Sequence, residues 1–174
     1  RQSRPAAGAA IDRPFFELSP WPLQEKILDE LMRERFVHNR WANLLVAATG
    51  TGKTVIAAFD YRRLRDRGID ASGALPLLFV AHRKEILEQS LAVYREVLRD
   101  HDFGELMVDG AVPSRGTHVF ASVQSLESRG YEKIDREFFS VIVVDEFHHA
   151  AADTYRRLLD YFRPRVLLGL TATP

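Results

Sequence analysis

The sequence contains no cysteine. That excludes disulfide scaffolds and thiolate metal sites, and it fits a reducing compartment such as the cytoplasm. It also lacks an excess of either charge: 24 Lys and Arg stand against 24 Asp and Glu, for a formal net charge of zero at pH 7. No global positive field advertises a polyanionic partner, so any nucleic-acid site has to be a local patch. No apolar run reaches the roughly 18 residues of a membrane-spanning helix, and no membrane partner is expected. The amino end, Arg1-Gln2-Ser3-Arg4-Pro5-Ala6-Ala7-Gly8, has no apolar centre and does not read as a secretory signal. What remains is a chain of 174 residues, 46% hydrophobic and 28% charged, the composition of one ordinary globular domain able to bury its own core.

Residues 1–13, rich in Ala, Gly, Pro and Arg, read as a flexible tail or linker, and 14–174 as the folded domain. The first residue is not Met and the last four are Thr171-Ala172-Thr173-Pro174; the expectation is a piece of a longer protein. Leu23, Ile27, Leu28, Leu31 and Met32 recur at three- and four-residue spacing, which predicts an amphipathic helix over Leu23–Phe36. Short apolar runs follow at Asn43–Ala48, Leu75–Ala81, His118–Ser122, Ser140–Asp145 and Arg165–Leu170. Leu77-Leu78-Phe79-Val80 and Val141-Ile142-Val143-Val144 are apolar on both faces, as strands buried under helices on each side are. Helical patterns at Lys53–Arg67, Arg83–Arg99 and Ala151–Phe162 alternate with them. Alternating strands and helices predict an α/β fold, a mostly parallel sheet with right-handed crossovers and helices on both faces. There is no internal repeat.

The strand at Leu44–Ala48 runs into Thr49-Gly50-Thr51-Gly52-Lys53-Thr54 and then into a helix, the strand, glycine-rich turn and helix of a phosphate loop. Gly50 and Gly52 allow backbone amides to approach phosphate oxygens, and the helix start adds the positive end of its dipole. Lys53 would charge-pair with the β- and γ-phosphates of ATP, and the Thr54 hydroxyl would ligate Mg²⁺. Ala47 stands where the general pattern has a leading glycine. About ninety residues later the apolar strand Val141–Val144 ends in Asp145-Glu146-Phe147-His148-His149. Acidic residues at the carboxyl end of a parallel strand lie where open α/β sheets bind ligands. Asp145 is the candidate metal-side carboxylate and Glu146 the base that takes a proton from the attacking water. With no cysteine and no further histidine cluster, His148 and His149 do not make a zinc site.

Together, Ala48 to Thr54, Asp145-Glu146-Phe147-His148 and Thr171-Ala172-Thr173-Pro174 resemble motifs I, II and III of superfamily 2 helicases, the second being a DEAH-like box with Phe147 in place of the usual Ala. The resemblance implies a first RecA-like motor domain that binds ATP and Mg²⁺, and it spans nearly the whole chain. It implies further roles, residue by residue. Trp21-Pro22-Leu23-Gln24 is similar to the adenine-reading segment, which makes Gln24 the base-recognition candidate. Val80-Ala81-His82-Arg83-Lys84 and Ala121-Ser122-Val123-Gln124-Ser125 resemble the two loops that touch the nucleic-acid backbone, so Arg83, Ser122, Gln124 and Ser125 would face the strand path, where such side chains bind phosphates without reading sequence. Helix-start solvation is the competing reading for Arg83, and loop capping for Gln124 and Ser125. Thr171 and Thr173 would couple the nucleotide state to the nucleic-acid site through His148.

The Ala-His-Arg, histidine-box and Thr-Ala-Thr-Pro set looks like the XPB-like and restriction-subunit branch rather than the DEAD-box RNA helicases, which implies DNA rather than RNA. Three readings follow: a DNA helicase or translocase, the motor of a restriction endonuclease subunit, or a nucleotide-gated binding module without motor activity. Relatives close a second RecA-like domain over the nucleotide and supply arginine fingers from it; by itself this chain is expected to hydrolyse ATP poorly.

Overall fold

The computed structural model describes residues 14–48, 52–146 and 153–173. The predicted tail 1–13, together with Thr49, Gly50, Thr51, His148 and Pro174, lies outside the described residues.

Helix α1 runs Pro22–Phe36, strand β1 Ala42–Val46, α2 Lys53–Asp66, β2 Leu77–Ala81, α3 Lys84–Leu98, β3 Glu105–Met107, β4 His118–Ser122, α4 Val123–Arg129, β5 Val141–Asp145, α5 Asp153–Tyr161 and β6 Val166–Thr171. Pro22 opens α1, at a position where its missing N–H breaks no helical bond. The six strands form one sheet in the order β1-β6-β5-β2-β4-β3, and every pairing is parallel. The α/β expectation holds. No helix among the described residues is long and apolar enough to cross a membrane.

Side chains alternate across the sheet, as the two-residue period of a strand requires. Along β2, Leu77, Phe79 and Ala81 enter the core shared with α1, α2 and α3, while Leu78 and Val80 enter the core under α4 and α5. The β5 strand divides the same way, Val141 and Val143 to the first core, Ile142 and Val144 to the second. In register, Phe79 lies between Phe120 and Val143, and its ring stacks on Phe120 at 5.2 Å. The outermost strand β1 is different: Leu44 and Val46 are 48% and 44% exposed.

Two elements depart from the sequence expectation. The short edge strand β3 has no apolar run to announce it; it pairs with β4 through Glu105 to Met107. The helix α4 occupies a segment whose motif resemblance implies a loop. It starts at Val123 because Ser122 caps it, its hydroxyl accepting the Ser125 amide at 3.1 Å. Arg83 precedes α3 in an extended conformation, so the helix begins one residue later than its pattern suggests.

Candidate nucleotide and track clefts

Because all six strands are parallel, the loops leaving β1, β2, β4, β5 and β6 open on one edge of the sheet. The strand order sets the distances along that edge. With β6 between β1 and β5, the phosphate loop after β1 and the acidic end of β5 lie two strand spacings apart, about 10 Å. The end of β6 lies in the middle of that gap.

At the first side, Gly52 has φ +74° and ψ 43°, left-handed geometry, and its carbonyl accepts the Ile56 amide at 2.9 Å. The left-handed conformation favours glycine, and a β-carbon there would sit 2.8 Å from Nε2 of Gln24, so a larger residue would also displace that amide. The close approach brings α1 against the loop. Gln24 is 5% exposed, and its Oε1 accepts the Trp21 amide at 3.0 Å. Lys53 is the first residue of α2, and its Nζ donates to the Ala47 carbonyl at 3.1 Å, a bond that a phosphate oxygen can replace. Ala47 is the position where the general motif has glycine.

At the other side Asp145 ends β5. Burial raises its carboxyl above the ordinary aspartate range, against the opposing bond from the Glu146 amide and the nearby Lys53 charge. The Glu146 amide donates to Asp145 Oδ1 at 2.9 Å, and Glu146 takes φ +52°, which a residue with a β-carbon rarely adopts. Lys53, Thr54, Asp145, Glu146 and Thr171 line one cleft of about 430 Å³. The Asp145 carboxylate and the Thr54 hydroxyl on one cleft are oxygen donors of the kind that hold Mg²⁺ together with phosphate oxygens, and Lys53 places a positive charge beside them. Among the described residues no cluster of His, Asp and Glu forms a separate metal cage. The same cleft contains Gln89 of α3, to which no motif drew attention. On α5 the buried Tyr155 phenol is pushed up to about 12, by burial first and then by the charges of Glu146 and Asp145.

Thr171 is 2% exposed. Its hydroxyl donates to the Thr173 carbonyl at 2.7 Å and accepts the Thr173 amide at 3.2 Å, closing a tight turn at the end of β6. The proposed link from these threonines to His148 lies outside the described residues.

A second cleft, about 400 Å³, lies along the same edge and is lined in part by His82, Lys84, Ser122, Gln124 and Ser125. It contains three of the four residues assigned to the strand path. Their availability differs. Gln124 is exposed, and so is Arg83, which stands between two lining residues; Ser125 is half-buried. Ser122 is 4% exposed and its hydroxyl both caps α4 and donates to Ser125 Oγ at 2.9 Å. Ser122, expected to face the strand path, instead caps α4, and its contribution to the cleft is to shape it. Sequence reasoning also passed over His82, whose Nδ1 lies 3.4 Å from Glu146 Oε2.

A parallel six-stranded sheet with a phosphate loop after β1, acidic residues after β5 and a hydroxyl turn after β6 defines a RecA-like NTPase domain, the ATP-binding motor domain of a superfamily 2 helicase. The family described as "Type III restriction enzyme, res subunit" matches residues 17–174, and the chain belongs to it. It is 33% identical over 137 residues to "Putative ATP-dependent helicase IRC3" of Saccharomyces cerevisiae, across 72% of this chain and 19% of that protein. It is 32% identical over 146 residues to "Type I restriction enzyme EcoAI endonuclease subunit" of Escherichia coli, across 75% of this chain and 16% of that one. The chain thus spans less than a fifth of the length of these relatives. Its fold is similar to that of a nuclease-deletion mutant of the Type ISP restriction-modification enzyme LlaGI, solved with a DNA substrate mimic: TM-score 0.66, 17% identity, 90% of this chain and 18% of that one.

Proposed function

We propose that this domain is half of an ATP-hydrolysing motor that moves along duplex DNA. The observation that carries the reading is the convergence of Lys53 and Thr54, from the start of α2, with Asp145 and Glu146, from the end of β5, on one cleft. Lys53, with the amides of the loop from Thr49 to Gly52, binds and orients the phosphates. Gln24, seated against Gly52, fixes the loop from the side where the adenine would lie. Thr54 and Asp145 hold Mg²⁺, which when bound neutralises developing charge on the phosphates. Glu146 takes the proton of the attacking water. His148, Thr171 and Thr173 relay the nucleotide state to the track, where Arg83, Gln124 and Ser125 bind backbone phosphates. A second RecA-like domain of the whole protein completes the site with arginine fingers.

DNA is favoured as the track because the relatives include a restriction enzyme subunit and because a protein containing a similar fold, the LlaGI enzyme, was solved with a DNA substrate mimic. These also support a second reading, in which the motor serves a restriction endonuclease; cleavage of duplex DNA by the whole protein separates that from a helicase or translocase. The test of the common mechanism is ATP turnover of the full-length protein with and without duplex DNA. Glu146→Gln should reduce turnover by about 10²- to 10⁴-fold while ATP binding persists. Survival of turnover removes Glu146 as the base. Nucleotide-dependent DNA binding without any turnover in the unaltered protein would instead identify a nucleotide-gated binding module.

A further inference from the structure

The cleft assigned to the track is lined by a carboxylate as well as by a cation. Lys84, the first residue of α3, and Asp109, from the loop between β3 and β4, both line it. Lys84 Nζ lies 3.5 Å from Asp109 Oδ2 and 4.0 Å from Oε1 of Glu88, one turn further along α3. The lysine side chain is 46% exposed and that of Asp109 68%, so a ligand entering the cleft meets both. An ion pair this exposed contributes little to folding; its effect falls on whatever binds beside it.

Asp109 is held in a built turn. It and Gly110 are the central residues, with φ +51° and +83°, and the Ala111 amide closes the turn by donating to the Val108 carbonyl at 3.0 Å. Positive φ at both central positions is the type I′ pattern, which Asn or Asp followed by Gly fits well. Arg129, the last residue of α4, pins the turn: its Nη2 donates to the carbonyls of Gly110 at 3.2 Å and Ala111 at 3.3 Å. The same helix supplies Gln124 and Ser125 to the cleft. One element thus fixes the carboxylate relative to polar groups that would hold a phosphate. The backbone conformation explains a short residue tolerant of left-handed geometry, and Asn meets that need equally. It does not explain the negative charge. A carboxylate at this point opposes a polyanion and occupies the lysine that a phosphate would use.

We infer that Asp109 is an acidic gate on the track cleft and that Lys84 is the phosphate-binding cation it guards. The inference rests on the reading of this cleft as the nucleic-acid site. A backbone phosphate takes Lys84 from Asp109, and the freed carboxylate then repels the strand. It also gathers a cation in place of the one that the phosphate sheds, so the exchange releases fewer counterions than an unguarded lysine would. The grip on the phosphate is weakened, which suits a motor that must release its track at every step.

The experiment uses the full-length protein and a fluorescein-labelled duplex DNA, with binding read by anisotropy from about 50 to 200 mM salt. Asp109→Asn keeps the turn and removes the charge. It should tighten binding about two- to fivefold, the scale of one exposed charge pair, and steepen the dependence of log K on log salt by up to about 0.9. The DNA concentration that gives half-maximal ATP turnover should fall by the same factor, with Tm unchanged. Lys84→Ala should weaken binding, and in that background Asp109→Asn should tighten it by less, because the guarded cation is gone. Unchanged or weaker binding by Asp109→Asn overturns the inference, and so does an equal gain with and without Lys84. If Arg83→Ala and Gln124→Ala leave DNA binding unaltered, the track reading of the cleft fails and the gate goes with it. If those two weaken binding but Asp109→Asn does not tighten it, only the gate is refuted.

Discussion

Arg35 of α1 is 1% exposed, and its guanidinium is held in a fork: Nη1 donates to Asp60 Oδ1 at 2.6 Å and Nη2 to Oδ2 at 2.9 Å. Nε donates to Asn43 Oδ1 at 3.0 Å. One buried cation thus joins α1, α2 and the edge strand β1. Asp60→Ala would leave that cation in a dry site with most of its donors unmet. Removing one partner of a buried pair destabilises by about 3–5 kcal/mol, a large share of the roughly 5–15 kcal/mol that holds a domain folded. For a domain of this size each kcal/mol corresponds to about 2–4 °C, so the expected drop in Tm is on the order of 6–20 °C. Arg35→Met/Asp60→Leu removes both charges and fills the space with apolar volume, and should recover most of the loss. Urea and thermal melts of Arg35→Met, Asp60→Leu and the double variant form the required cycle. The reasoning is refuted if Asp60→Ala loses less than about 1 kcal/mol, or if the double variant is as unstable as the singles summed, since burial without pairing is the whole of the predicted cost. The consequence extends to the site. Asp60 lies two helical turns beyond Lys53 on the same helix, and α1 positions Gln24 against Gly52. A folded Asp60→Ala protein should therefore also bind ATP more weakly.

Two further outcomes test the electrostatics. Burial raises the Asp145 carboxyl, so its charged form at neutral pH opposes folding of the nucleotide-free protein; Asp145→Asn should raise Tm without nucleotide while weakening Mg²⁺-dependent ATP binding, and a lowered Tm contradicts the assignment. Desolvation raises the Glu105 carboxyl, but the Gly116 amide, the Ser114 hydroxyl and amide and the Arg115 amide outweigh it and hold the group at about 2. A carboxyl lowered in the folded state stabilises above its unfolded value and loses that contribution as pH falls from about 4.5 toward 2. Amide exchange of the segment 105–116 should accelerate across that window, and Glu105→Gln should abolish the pH dependence.

The sheet's central strands were legible because burial on both faces leaves an unbroken apolar run, as in Leu77–Val80 and Val141–Val144, and the helices between them because their apolar positions recur every three or four residues. That Lys53, Asp145 and Glu146 would line one cleft was legible because each follows or ends a strand of a parallel sheet, whose carboxyl ends open on one edge. Local pattern could not reveal β3, which has three half-buried residues and is held by its partner β4, nor the capping of α4 by Ser122, which decides that this serine shapes the track cleft instead of lying open to a strand.

The sequence by itself determined the long helices and the five strands other than β3, their alternation and the chemical types at their ends, since these depend on periodicity and on residues within a few positions of one another. Only the tertiary structure decided the strand order that inserts β6 between β1 and β5 and so sets the width of the nucleotide cleft. It also decided the meetings of Gln24 with Gly52, Arg35 with Asp60 and His82 with Glu146. Residues that far apart in the chain are brought together by crossovers and by packing on both faces of the sheet, and no local spacing encodes which of them will touch.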